Sequence, residues 1–98
     1  MGSTLETYIY NEDPEELDSY HTDYQTQLRD RYGYDTYAGH LGAIPFGLDI
    51  IHTDPFETYN EALEYLEENH CKWDCAMAIP FKGKIRVLSY IVGAWCPE

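Results

Sequence analysis

The sequence predicts a single α+β domain over residues 1–98, a mainly antiparallel sheet with two helices on one face in the order β-α-β-β-α-β-β. Three observations lead there. Two segments carry apolar residues at helical spacing behind recognisable N-caps. Several others alternate or run apolar over strand length. At 98 residues, with no linker, repeat or low-complexity tract, the chain has the size of one domain.

The elements follow in order. Residues 5–10 set Leu5, Thr7 and Ile9 against Glu6, Tyr8 and Tyr10, a period of two in β-favouring residues. Asp13 then caps a helix over 14–32, with Pro14 at its first position and Glu16 three residues beyond the cap. Leu17, Tyr20, Tyr24, Leu28 and Tyr32 form its apolar stripe, and Gly33 stops it. The stripe assigns Tyr20, Tyr24 and Tyr32 to the core and makes His21, about 40° away, a partly buried packing residue.

Residues 34–44 read as a strand loosened by Gly39 and Gly42, pairing as a hairpin with the apolar run 48–51. Thr58, with Glu61 three residues on, caps a second helix that ends near Asn69 and buries Tyr59, Ala62, Leu63 and Leu66. The remainder reads as a strand over 75–81, a short turn containing Gly83, and a long apolar strand over 85–95. Pro80 marks an edge position or a strand end.

Charge narrows the functional classes. Eighteen Asp and Glu against six Lys and Arg give a net −12. With 44% apolar and 15% aromatic residues this is not a disordered acidic tail. No apolar run approaches a membrane span and no secretion signal opens the chain, so a cytoplasmic protein is expected. Nucleic acid and anionic membranes both reward positive charge, so neither is expected as a direct partner. The charge is also uneven: residues 1–70 sum to −14 and residues 71–98 to +2.

No nucleophile–base pattern, Gly-rich phosphate loop or HExxH occurs, so neither a catalytic residue nor a cofactor is assigned and the chain is read as non-enzymatic. Three cysteines cannot complete an internal disulfide set. His70, Cys71, Cys75 and Cys96 are zinc-type ligands in number and kind. Lys72, Trp73 and Asp74 do not make the usual zinc knuckle, however, and ordinary reduced thiols are the preferred reading.

The carboxylates fall in rows. Glu57, Glu61, Glu64 and Glu68 line one side of the second helix, with Glu67 adjacent. On the first helix Glu16, Asp23 and Asp30 lie away from the apolar stripe, with Glu15 beside them. Like charges at helical spacing destabilise by a few tenths of a kcal/mol per pair, and almost no Lys relieves them. A heavily solvated face is the competing explanation. The functional one is a surface that attracts a basic groove. Tyr8 and Tyr10 join it as rings suited to contact with Arg, core packing being their alternative role.

In size, charge and carboxylate layout the chain resembles the small acidic phage-encoded inhibitors of bacterial defence nucleases, the anti-CRISPR and antirestriction proteins. The resemblance rests on Glu12-Asp13-Pro14-Glu15-Glu16, Asp18, Asp23 and the row Glu57, Glu61, Glu64, Glu67 and Glu68. It implies a domain that occupies a basic nucleic-acid-binding groove of an effector or blocks its motion. The +2 region favours a one-sided acidic patch over a whole-surface imitation of DNA. The alternatives are a structural or regulatory module, monomeric or dimerising by edge pairing of residues 85–95, and a zinc or thiol site.

Overall fold

A computed structural model of the chain describes residues 2–33, 40–71, 74–83 and 88–97. The alternating segment at the N-terminus forms β1 (Ser3–Tyr10). The Tyr10 hydroxyl donates to the Asp13 carbonyl at 2.6 Å and braces the turn that follows. The Asp13 carboxylate accepts the Glu15 N–H at 3.0 Å, and a 3-10 turn over Pro14–Glu16 leads into α1 (Leu17–Tyr32). Gly33 ends the helix at φ 83°, where its N–H reaches the Arg29 carbonyl at 2.8 Å. Thr58 likewise caps α2 (Tyr59–Asn69), accepting the Glu61 N–H at 3.2 Å. Thr58→Ala is expected to cost about 1 kcal/mol, read as a lowered urea midpoint at unchanged slope; an unchanged midpoint would deny the cap its role.

The expected hairpin is not formed among the described residues. Leu41–Ala43 make a 3-10 turn, and residues 34–39, with Tyr34, Tyr37 and Gly39, lie outside the described set. β2 (Leu48–Ile50) instead pairs in parallel with β3 (Ala76–Lys82). The described elements therefore run β-α-β-α-β-β. The last strand, β4 (Leu88–Pro97), lies between β1 and β3 and is antiparallel to both. The spatial order β1-β4-β3-β2 contains two antiparallel pairings and one parallel. The chain is α+β with a mixed sheet.

The helices lie on opposite faces of that sheet, not on one. Alternate strand residues sort into two cores. Tyr10, Ala76, Ala78, Tyr90, Val92, Ala94 and Cys96 pack with Leu17 of α1 and with Leu41 and Ile44. Met77, Ile79, Phe81 and Ile91 pack with Ala62 and Leu66 of α2. Connectivity supplies the reason. β1, β2 and β3 are mutually parallel; the β1-α1-β2 crossover traverses the whole sheet, and β2-α2-β3 steps back. Crossovers prefer one hand, so two that travel in opposite directions put their helices on opposite sides.

Pro80 sits in the interior strand β3 without a lost ladder bond. Its carbonyl accepts the Phe56 N–H at 3.0 Å, so its backbone points away from β4, toward the side on which β2 has already ended. Pro80 thus marks the place where β2 stops and the short Phe56 bridge to Phe81 begins.

Candidate partner-binding surface

The tyrosines part company on α1. The buried stripe is Leu17, His21 and Gln25, with Tyr24 and Leu28 partly buried beside it. Tyr20 is 46% exposed and Tyr32 58%, against the expectation that both are core. Tyr10 is buried, and its ring lies 5.1 Å from that of Tyr20. Tyr8 joins them, 5.8 Å from Tyr20 and 4.6 Å from Tyr24. The seam between α1 and the edge strand β1 is therefore a ladder of tyrosine rings.

Carboxylates gather at its upper end. A cavity of about 400 Å³ is lined by Tyr10, Glu12, Glu16, Ser19, Tyr20 and Asp23. Burial pushes the Tyr10 phenol up, and the Glu16, Asp13 and Glu12 carboxylates push it the same way. Among the described residues none of Glu12, Glu16 and Asp23 takes part in an ion pair. At the other end a cavity of about 360 Å³ is lined by Glu6, Tyr24, Leu28, Tyr32, His40 and Leu41. Here the Tyr24 phenol is raised by burial first and by Glu6 second. Glu15 and Asp30 are exposed elsewhere on the same helical layer.

The bases of α1 do not neutralise this surface at its upper end. Arg29 reaches away from it, donating through Nε to the Gly42 carbonyl at 2.6 Å and through Nη2 to the Ile44 carbonyl at 2.9 Å, with its guanidinium 3.8 Å over the Phe46 ring. Gln25, one turn earlier, donates to the Leu41 and Pro45 carbonyls at 2.8 and 3.2 Å. The pair clamps the loop over 41–46 to α1. Sequence reasoning missed Gln25; its spacing of four from both His21 and Arg29 was the available signal.

The α2 row lies on the opposite face of the molecule. Glu61, Glu64, Glu67 and Glu68 are exposed, and Glu61, Glu64 and Glu68 border a cavity of about 260 Å³ with Phe56 and Tyr65. Glu57 is paired with Lys82 at 2.8 Å, both side chains largely in solvent. The −14 of residues 1–70 is thus divided between two outer layers, and the single one-sided patch expected from the sequence is not what the fold builds.

Of the histidine and cysteine candidates, His70 and Cys96 are engaged in the fold. His70 accepts the Trp95 N–H on Nδ1 at 3.2 Å, so Nε2 carries the proton and donates to the Cys75 carbonyl at 2.9 Å. Both ring nitrogens are thereby committed to the backbone. Cys96 points into the α1 core, where burial pushes its thiol up to about 12, while Cys71 is exposed. Among the described residues no three His, Cys, Asp or Glu groups converge as a metal site. Among the described residues no helix is long and apolar enough to cross a membrane. Comparison with protein-family models, curated proteins and solved structures returned no match for the chain.

Proposed function

We propose that the chain is a non-enzymatic acidic domain that binds a basic protein surface, acting in the host-cell cytoplasm as an inhibitor of a nucleic-acid-processing enzyme such as a bacterial defence nuclease. The observation that carries this is the cavity at the head of α1, where Glu12, Glu16 and Asp23 surround the Tyr10 and Tyr20 rings. Carboxylates bond a guanidinium or ammonium directly, and aromatic faces attract the same cation through their quadrupole. A groove evolved to hold phosphates presents such cations in number, and the net −12 steers it to this domain. The α2 row adds field from the far side and contributes mainly to the association rate.

Pull-down against a panel of purified defence nucleases at graded salt tests the reading. Binding is expected to fall steeply as salt rises. Glu16→Lys with Asp23→Lys is expected to weaken it at least tenfold. Reversing Glu61, Glu64 and Glu68 to Lys is expected to slow association a few-fold and leave dissociation unchanged. Capture that is indifferent to salt and to both sets of reversals would sink the proposal.

A further inference from the structure

We propose that β1 receives an extended basic segment of the partner as an added strand, with cationic side chains lying along the α1 side of that edge. This rests on the acidic-domain reading above and specifies the surface and the mode of contact.

The backbone direction follows from the register. In an antiparallel ladder successive residues point their N–H and C=O alternately toward and away from the neighbour. Pro80 points away from β4, so its register partner Tyr90 points toward β1, and Tyr10, opposite Tyr90, points back at β4. Thr4, Glu6 and Tyr8 share that direction by alternation. Leu5, Thr7 and Ile9 therefore aim their backbone groups outward, and among the described residues no loop or side-chain hydrogen bond reaches them.

Among the described residues this edge is long and unblunted. β1 has eight residues, roughly 26 Å, whereas β2 at the other edge has three. Natural sheets protect such edges with Lys, Pro or a bulge. β1 contains no Lys or Pro, pairs with β4 through all eight positions without interruption, and leaves Ile9 53% exposed.

Charge selects the occupant. Glu6 faces the α1 side of the edge at one end, and Glu12, Glu16 and Asp23 stand at the other. A second copy of this chain would set the same carboxylates and the same −12 against themselves. A basic segment meets them with opposite charge. Glu6 and Tyr10 are four residues apart on one face of β1, about 13 Å, and each lines one of the two cavities. Cationic side chains at i and i+4 of an added strand match that spacing.

The probe is a synthetic nine-residue peptide alternating arginine and valine, added to isotope-labelled protein at low salt. On binding, the amides of Leu5, Thr7 and Ile9 are expected to exchange at least tenfold more slowly, while those of Glu6, Tyr8 and Tyr10, already bonded to β4, change little. Of two peptide isomers N-methylated on alternate backbone nitrogens, one is expected to lose this protection and at least tenfold in affinity at unchanged charge. Thr7→Pro, which removes one outward N–H and no ladder bond, is expected to weaken the peptide similarly. Tight binding of both methylated isomers without protection at those amides would overturn strand addition and leave the acidic-domain reading standing. Absence of any binding would overturn both. Protection of the same amides in the protein alone, with a doubled mass, would put a second copy on the edge and overturn the basic occupant.

Discussion

Gly93→Ala is expected to destabilise the fold by about 3 kcal/mol, near the upper end for overpacking a closed interior. Gly93 lies in the middle of β4, opposite Thr7 of β1 and beneath Leu66 of α2. A Cβ there would stand 2.5 Å from the Glu6 carbonyl oxygen, 2.6 Å from Thr7 Cγ2 and 3.0 Å from Leu66 Cδ2. The first of these is backbone and cannot swing aside, so β1 must separate from β4 or β4 must buckle. The requirement is steric, arising where three elements approach one point. Urea unfolding measures it. A loss below about 1 kcal/mol would mean that the sheet yields at this point and that β1 is not held there by its full ladder.

Acid is expected to weaken the protein through His21. Its ring is fully buried between α1 and the sheet; Nδ1 bonds the Tyr8 hydroxyl at 2.8 Å, and Nε2 has no partner among the described residues. Burial lowers its pKa to about 4, against an upward pull from Asp18. The unfolded chain therefore takes up this proton near pH 6.5 and the folded chain near 4. The neutral ring's contribution is complete above pH 6.5, declines as pH falls through that window and is exhausted below about 4. Between pH 7.5 and pH 5 the loss amounts to about 2 kcal/mol. His21→Leu fills the same space without the proton site, and its stability is expected to lack that slope. Wild-type and variant curves that stay parallel across the window would refute the assignment. Any change contributed by the carboxylates is common to both proteins and cancels in the comparison.

Local chemistry was legible in the sequence and long-range geometry was not. Asp13, Thr58 and Gly33 act within four residues of themselves: Thr58 and Gly33 cap their helices as their type and spacing indicate, while Asp13 caps the 3-10 turn ahead of α1 through the Glu15 N–H rather than that of Glu16. The side of the sheet on which a helix lies depends on strand order, which no local pattern encodes; hence the sequence predicts α1 and α2 on one face, and the fold sets them on opposite faces. Edge pairing of the apolar run ending in Trp95 is the dimeric alternative, whereas β4 pairs with β1 over residues 90–97 and with β3 over 88–93, so most of it lies inside the sheet. Its burial on both faces was the available clue, because interior strands lose the polar alternation that edges keep. Tyr20 and Tyr32 misled for a related reason. A tyrosine on a helical stripe has the hydrophobicity of a core residue and the hydroxyl of a surface one, so periodicity alone cannot place it. At the candidate site, the sequence points to Glu12, Glu16, Asp23 and Tyr10 and misplaces in the core Tyr20, which the fold brings beside them.

The position of β4 also governs how the molecule can be made. The last strand in the chain is the one that joins β1 to β3, and its partner at one flank lies at the opposite end of the sequence: Ser3 pairs with Pro97 and Tyr10 with Tyr90. A nascent chain that has not reached residue 88 has α1 and α2 available but no sheet for β1 to enter. Closure of so long a loop must precede the whole β1–β4 ladder, and a long-range pairing of that kind slows folding. Until β4 is in place, the tyrosine seam has no floor and β1 has both edges bare, so the acidic surface depends on residues far along the chain from those that form it.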